Sequence, residues 1–251
     1  MSLPTVSENT IFIENVGVRY RVPNERIATF KEYMIRRIEG KIHHREFWAL
    51  REVSFSTISG EVFGLIGHNG AGKSTLLKLV ARVLKPTEGR VVVFGRVAPL
   101  LEIGAGFHGE LSGRENVYLN GALLGFTYQE MDEKFSRIVD FAELWNFIDA
   151  PMRTYSSGMW ARLGFATATD TQPEVLIVDE VLAVGDEAFQ RKSFERIMQF
   201  RENGATILLV SHNLAMIEKL CHRVAWIDHG HLKELDEAKA VVNNYRKFYQ
   251  D

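Results

Sequence analysis

A run of nine residues, GHNGAGKST at 67–75, has the residue types and the spacing of a phosphate-binding loop. Its glycines let the backbone curl, so that successive N–H groups point inward at phosphate oxygens. We predict that Lys73 reaches the β- and γ-phosphates, that Ser74 ligates Mg²⁺, and that Thr75 bonds the α-phosphate. The predicted nucleotide-binding residues of the loop are Gly67, His68, Asn69, Gly70, Ala71, Gly72, Lys73, Ser74 and Thr75. A chance glycine-rich turn is the alternative interpretation.

Two adjacent carboxylates, Asp179 and Glu180, follow the apolar run VLIV at 175–178. Phosphoryl transfer to water requires a ligand for Mg²⁺ and a group that activates the water. We predict that Asp179 holds Mg²⁺ through water, and that Glu180 orients and polarises the attacking water as general base. The alternative is that the two acids cap the next helix, where negative charge is favourable.

Two weaker signals accompany these motifs. His212 follows the apolar strand TILLVS at 206–211, and ligands of doubly wound sheets bind where strands end. This histidine is predicted to contact the γ-phosphate, with a purely structural role as the alternative. The sequence YSSGM at 155–159 precedes a helical pattern, so that Ser156 and Gly158 form a predicted anion site at a helix N-terminus.

Three nearly continuous apolar runs are typical of strands buried on both faces of a parallel sheet. They are VFGLIG at 62–67, VLIVD at 175–179 and TILLVS at 206–211. Segments with helix character follow them at 73–84, 187–203 and 213–220. This alternation predicts an α/β fold with right-handed crossovers and these three runs in the central sheet.

Three other segments have different patterns. Residues 11–20 and 52–58 alternate apolar and polar side chains, which predicts edge or antiparallel strands. Residues 98–170 are mainly helical in pattern, most clearly at 129–147, and form a candidate inserted helical subdomain.

Residues 24–48 interrupt the opening β-region with an amphipathic pattern. Its six cations, Arg26, Lys31, Arg36, Arg37, Lys41 and Arg45, outnumber its four glutamates, Glu25, Glu32, Glu39 and Glu46. One interpretation is a surface helix packed on its own domain. The other is a basic helix lying near anionic lipid or on a membrane partner.

The composition excludes several classes of protein. Apolar residues make up 46% of the 251 residues and charged residues 25%, which is unlike a disordered, collagen-like or disulfide-scaffold protein. The net charge of −2 gives no chain-wide footprint for nucleic acid, so no nucleic-acid partner is expected. Cys221 stands alone, which predicts no internal disulfide and a reducing, cytosolic compartment. The apolar runs are too short to span a membrane, and the N-terminus does not have the pattern of a secretory signal.

With these motifs in this order, the chain resembles the nucleotide-binding subunit of an ATP-binding cassette (ABC) transporter over roughly residues 10–235. The resemblance implies a P-loop NTPase (RecA-like) α/β core with an antiparallel β-subdomain and an inserted helical subdomain. It divides a single ABC ATPase domain, 1–251, into the following parts: a catalytic core with the β-subdomain at 10–97 and 171–235, the helical subdomain at 98–170, the amphipathic segment at 24–48 and a C-terminal helix at 236–251.

The family's signature sequence is usually Leu-Ser-Gly-Gly-Gln. Ser156 and Gly158 match it, whereas Tyr155, Ser157 and Met159 depart from it. The resemblance implies that the signature, Ser156, Ser157 and Gly158, acts on ATP held by a second copy of the chain.

Three other functional positions of the family have less exact counterparts in this chain. Tyr20 matches the aromatic residue that stacks on adenine, with Phe47 and Trp48 as competitors. The family has a loop glutamine that is absent from 91–116, where Glu102 lies near its place. Asp186 of LAVGD matches the acid of the loop that crosses the dimer interface.

Three stretches, GAGFHGELSGREN, YSSGMWARLGFA and VDEVLAVGDEAFQRK, look like the subfamily that exports lipid-linked polysaccharides such as O antigen, capsule or teichoic acid. This implies an ATPase with Mg²⁺ as cofactor. It also implies that two copies close on ATP and power export of a lipid-linked glycan through integral-membrane permease subunits, from the cytoplasmic face of the bacterial inner membrane. Some members continue into a carbohydrate-binding domain, so a chain of 251 residues is expected either to be a form without it or to be truncated.

Two other functions compete with export. A soluble ABC-type ATPase can act as a clamp on nucleic acid or the ribosome, but such proteins generally carry long coiled coils or two cassettes. A small-molecule kinase or GTPase is disfavoured by YSSGM and by the Asp179–Glu180 pair.

Overall fold

A computed structural model describes residues 9–23, 44–101, 103–179 and 185–249. Glu102, Glu180 and residues 24–43 of the amphipathic segment therefore lie outside the described residues, and the roles predicted for them stay predictions. Residues 182–184 of the predicted dimer loop also lie outside them.

The centre of the fold is a six-stranded sheet with the order β5-β6-β7-β3-β8-β9. Its strands are β3 (Val62–Ile66), β5 (Val97–Leu100), β6 (Val175–Asp179), β7 (Thr206–Val210), β8 (Arg223–Asp228) and β9 (His231–Glu237). All neighbouring pairs are parallel except β8 and β9, which are antiparallel. The three apolar runs are the adjacent strands β6, β7 and β3, and they are buried except at Asp179, as predicted for a central sheet.

A second, antiparallel sheet has the order β2-β1-β4, with β1 at Asn9–Pro23, β2 at His44–Ile58 and β4 at Glu88–Val93. The predicted strands at 11–20 and 52–58 lie within β1 and β2. Residues 44–48 were assigned to the amphipathic segment, and that assignment is wrong because they pair with β1 in strand β2. Cross-strand pairing with a distant partner determines their conformation, which the local pattern does not predict.

Helices follow the three central strands at the predicted places. They are α1 (Lys73–Val80) after β3, α5 (Glu187–Glu202) after β6 and α6 (Leu214–Leu220) after β7, and α7 (Ala238–Phe248) ends the described fold. The helix predicted over 73–84 is shorter, because the chain turns after Val80 and Arg82 has a positive φ of 61°.

The helical part contains α2 (Gly113–Leu123), α3 (Tyr128–Ala142) and α4 (Ser157–Ala168). Capping boxes at Ser112 and Thr127 fix the starts of α2 and α3. A separate apolar cluster joins the three helices; its buried members are Val117, Met131, Phe135, Ile138, Val139, Ala142, Leu144, Ile148, Met152, Leu163 and Ala166. This cluster supports the proposal of a helical subdomain.

The predicted start of that subdomain, residue 98, is not supported. Residues 97–100 form β5, which pairs in parallel with β6 at the edge of the central sheet. A four-residue strand that contains Pro99 has no strand signal of its own, and proline is tolerated in a sheet only at such an edge. Similarly, the helix predicted over 129–147 ends at Ala142, where Glu143 adopts a left-handed conformation with φ of 60°.

Two further observations concern the Cys221 thiol and membrane-spanning helices. Burial raises the pKa of the Cys221 thiol to about 12, so that it stays protonated at neutral pH. None of the helices in the described ranges combines the length and the apolar character that crossing a membrane would need.

Candidate nucleotide-binding site

The predicted phosphate loop connects the end of β3 to the start of α1. Gly67 has φ of 150°, and a Cβ atom there would lie 2.2 Å from the carbonyl oxygen of Ile227. Gly72 has φ of 112°, and its Cβ would lie 2.6 Å from the carbonyl oxygen of Ala49. Both positions therefore require glycine, because backbone atoms of β8 and β2 lie too close to the loop to leave room for a Cβ atom.

Lys73 is the first residue of α1, and only 9% of it is exposed. Its Nζ donates hydrogen bonds to the carbonyl oxygens of Gly67 at 2.6 Å and His68 at 2.9 Å. These bonds hold the ammonium group against the loop. The first turn of α1 contains no acidic residue, so the positive end of the helix dipole favours an anion here.

A cleft of 380 Å³ brings many of the predicted site residues together, although Gly67, His68 and Ala71 of the loop do not line it. It is lined by Tyr20, Phe47, Ala49, Asn69, Gly70, Gly72, Lys73, Ser74, Thr75, Asp179, Val210 and His212. The carboxyl ends of β3, β6 and β7 meet at one edge of the sheet, which places the phosphate loop, Asp179 and His212 around the same space. The Ser74 hydroxyl and the Asp179 carboxylate are oxygen donors of the kind that Mg²⁺ prefers, so the residues present fit this ion.

The aromatic end of the cleft is formed by Tyr20 and Phe47, whose ring centroids are 5.6 Å apart. Tyr20 lies inside β1. Trp48 does not line the cleft, and the guanidinium groups of Arg19 and Arg51 lie over its ring. Successive residues of a strand point to opposite faces, so Phe47 can line the cleft while Trp48 does not. Tyr20 and Phe47 therefore both line this end of the cleft, and the stacking of Tyr20 on adenine stays a prediction.

The signature residues lie elsewhere. The Ser156 hydroxyl caps α4 by accepting a hydrogen bond from the Met159 N–H at 3.2 Å. The helix therefore begins at Ser157, and the prediction that YSSGM precedes the helix is wrong for its last three residues. Ser156, Ser157 and Gly158 line a different cavity of 660 Å³, which shares no lining residue with the cleft at the phosphate loop.

Asp186 lines this second cavity and connects two helices. Its Oδ1 accepts the Phe189 N–H at 2.9 Å and caps α5, while its Oδ2 accepts the Arg162 Nη2 at 2.5 Å. The Phe189 N–H and the Arg162 charge lower the pKa of Asp186. Asp186 thus occupies the N-cap position of α5, the place that the alternative interpretation gave to the pair Asp179 and Glu180.

Sequence reasoning missed Arg162, which also lies 3.3 Å from a Glu143 carboxylate oxygen. Its side chain is 19% exposed. It connects α4 to Glu143 and Asp186, which line the same cavity as the signature residues. The signal that was available is a lone cation inside the otherwise apolar helical pattern WARLGFATAT.

Comparisons with known proteins agree with this arrangement. The sequence pattern of the family described as "ABC transporter" matches residues 50–183. The O-antigen export system ATP-binding protein RfbB of Klebsiella pneumoniae is 50% identical over 203 residues, which cover 81% of this chain and 82% of that protein. The teichoic acids export ATP-binding protein TagH of Lactiplantibacillus plantarum is 41% identical over 232 residues, which cover 92% of this chain and 62% of that protein.

A solved structure has the same fold. It is the dimeric ATP-binding cassette MJ0796 in a post-hydrolysis state bound to ADP and Pi, with a TM-score of 0.71 and 19% identity, covering 91% of this chain and 98% of that one. The family match spans more than half of the 251 residues, and it agrees with the cleft geometry and with relatives at 50% identity. The chain therefore belongs to the ABC transporter family.

Proposed function

We propose that this chain is the ATP-hydrolysing subunit of an ABC transporter, and that it powers export of a lipid-linked polysaccharide through a separate membrane subunit. The observation that carries the ATPase part is the single cleft that gathers the phosphate loop, Asp179 and His212. The export part is supported by the relatives, whose names specify export of O antigen and teichoic acids. We place the chain on the cytoplasmic face of the bacterial inner membrane, where the permease would hold it.

In this proposal each residue of the cleft has one task. Loop N–H groups and Lys73 bind the phosphates, and Ser74 and Asp179 hold Mg²⁺, which neutralises phosphate charge when bound. Glu180, which lies outside the described residues, accepts a proton from water as the water oxygen attacks the γ-phosphorus. The bond from that phosphorus to the bridging oxygen breaks, and ADP and phosphate leave. His212 contacts the γ-phosphate and reports its presence.

The second cavity supports a dimer. The signature residues are needed near the γ-phosphate, but within one chain they line a cavity that is separate from the phosphate cleft. A second copy of the chain supplies them if the two copies pair head to tail. Each of two ATP molecules then lies between one chain's phosphate loop and the other chain's Ser156.

Mixing two inactive variants tests this shared site. A Ser156→Arg chain keeps its base but blocks its anion site, while a Glu180→Gln chain keeps its signature but lacks its base. In the mixed dimer one site has both an intact base and an intact signature. We expect ATPase activity to be absent in either variant alone and to reach about one quarter of wild type in an equal mixture, because random pairing makes half of the dimers mixed.

The control for the mixing experiment is a chain that carries both substitutions, which should restore nothing when mixed with either single variant. Losing the Ser156 cap costs about 1 kcal/mol, so melting curves establish that the Ser156→Arg chain is folded. An equal mixture with no recovered activity would contradict a shared site.

Export is tested in the bacterium that carries this chain. With Glu180→Gln as the sole copy, we expect surface polysaccharide to be lost and lipid-linked glycan to accumulate on the cytoplasmic side, because ATP hydrolysis no longer resets the transporter. The exposed neighbour Glu187→Gln is the matched control and should leave surface polysaccharide unchanged. A normal surface with Glu180→Gln would contradict export and would favour the clamp on nucleic acid or the ribosome.

A further inference from the structure

Three side chains that the proposed hydrolysis does not use meet beside the phosphate loop. His68 belongs to the loop, while Asp228 and His229 belong to the turn between β8 and β9. His68 Nε2 lies 3.4 Å from Asp228 Oδ1, and His229 Nε2 lies 3.9 Å from the same oxygen. One ligand atom from each of the three residues lies within 4.8 Å of the other two.

The hydrogen bonding of His68 determines which of its nitrogens offers a lone pair. Its Nδ1 lies 2.7 Å from the carbonyl oxygen of Asn69, which can only accept, so Nδ1 donates the proton. In a neutral imidazole Nε2 is then an acceptor. This Nε2 is buried without a hydrogen-bond partner, and it faces a carboxylate oxygen that is also an acceptor. Two facing acceptors repel each other unless a proton or a metal ion lies between them.

The spacing suits a tetrahedral metal ion. Zn²⁺ binds histidine nitrogen and carboxylate oxygen at about 2.1 Å, which puts neighbouring ligand atoms about 3.4 Å apart. The His68–Asp228 pair already has that separation, at 3.4 Å. The His229 side chain is 81% exposed, so its ring can rotate and shorten the 3.9 Å distance between its Nε2 and Asp228 Oδ1. A ligating histidine that donates its other N–H to a backbone carbonyl is common in metal sites, and His68 has this arrangement.

Among the described residues, Lys233 is a cation that competes for Asp228. Its Nζ lies 3.4 Å from Oδ2, so it approaches the oxygen that the histidines do not face. The same Nζ lies 4.1 Å from the ring centroid of Trp226 and 3.2 Å from that of Phe248. Lys233 therefore contacts the two rings and Oδ2, whereas Oδ1 faces the two histidines.

We propose that His68, Asp228 and His229 bind a transition-metal dication, Zn²⁺ or a similar ion, with the fourth coordination position open. Two imidazole nitrogens favour such ions over Mg²⁺, which prefers oxygen ligands. The site is therefore different from the Mg²⁺ site in the nucleotide cleft. The Gly230 N–H already donates to the Ala71 carbonyl oxygen at 2.9 Å, and a bound ion would add a second connection between this turn and the phosphate loop.

Co²⁺ absorption spectroscopy tests the site directly. The full chain, free of nucleotide and Mg²⁺, is titrated with Co²⁺ and then with Zn²⁺. We expect saturable visible absorption from a tetrahedral ion, displacement by Zn²⁺, and no displacement by millimolar Mg²⁺. In His229→Asn and Asp228→Asn the affinity should fall at least about 10-fold, because a ligand is lost. Asparagine suits position 229, where φ is 47°.

His231→Asn is the matched control, because this exposed histidine lies in the same hairpin but outside the cluster. It should keep wild-type affinity. X-ray absorption of the Zn²⁺ complex should show two imidazole ligands, and one in His229→Asn. Absence of saturable binding in the wild type, or unchanged affinity in His229→Asn, would overturn the proposal. Displacement of Co²⁺ by Mg²⁺ would do the same. If Asp228→Asn fails to fold, His229→Asn decides the outcome alone.

Discussion

Lys73→Ala is expected to weaken ATP binding by at least about 100-fold, because two or more charge-assisted hydrogen bonds to phosphate are lost at about 1.5–3 kcal/mol each. The buried ammonium lies where the phosphate loop meets α1, and other side chains of the cleft do not replace its charge at that point. Equilibrium binding of a fluorescent ATP analogue, with Mg²⁺ present, measures the loss.

The matched control for this experiment is Lys78→Ala, which removes an exposed lysine from the last turn of the same helix and should leave ATP affinity unchanged. Lys73 also bonds two loop carbonyls, so thermal melting of both variants separates lost binding from lost folding. If the folded Lys73→Ala chain binds ATP as tightly as wild type, the loop does not bind phosphate as proposed.

Glu180→Gln is expected to lower the rate of ATP hydrolysis by about 10²- to 10⁴-fold, because the amide keeps the shape of the side chain but cannot accept the proton of the attacking water. ATP affinity should stay within a few-fold of wild type, since Lys73, Ser74 and Asp179 remain. With hydrolysis blocked, ATP-bound dimers should accumulate, and size-exclusion chromatography with ATP and Mg²⁺ detects them.

Glu187→Gln serves as the control here, because this exposed glutamate lies in the first turn of α5. Its hydrolysis rate and its monomer–dimer ratio should match those of wild type. Hydrolysis by Glu180→Gln at the wild-type rate would assign the base to another residue. Loss of ATP binding in the same variant would instead place Glu180 among the groups that hold the nucleotide.

Much of the nucleotide cleft could be predicted because its determinants are local in the chain. The glycine spacing of 67–75 specifies a loop by backbone sterics, and the apolar runs before it and before Asp179 specify buried strands. Parallel strands end at a common edge of the sheet. The sequence therefore predicts that Asp179 and His212 lie in the same cleft, even though it does not predict their individual contacts.

Elements that depend on distant partners were predicted poorly. Residues 44–48 were grouped with the amphipathic segment, yet they form strand because β1 is available to pair with them. Strand β5 is four residues long and contains proline, and only its place beside β6 makes it a strand. Strand β8 contains the buried apolar run VAWI at 224–227, which the sequence analysis did not assign to the central sheet. Strand β9 has no such run, and its antiparallel pairing with β8 completes the sheet.

The sequence by itself therefore determined the phosphate chemistry, since that chemistry depends on residue types at short, fixed spacings. The tertiary structure decided the rest. It placed Phe47 beside Tyr20, connected Arg162 to Asp186, and separated the signature from the phosphate loop by assigning them to different cavities. It also brought His68 to a turn some 160 residues away in the chain. Such contacts join residues far apart in sequence, and only the packing of β8 against β3 and of α4 against its neighbours fixes them.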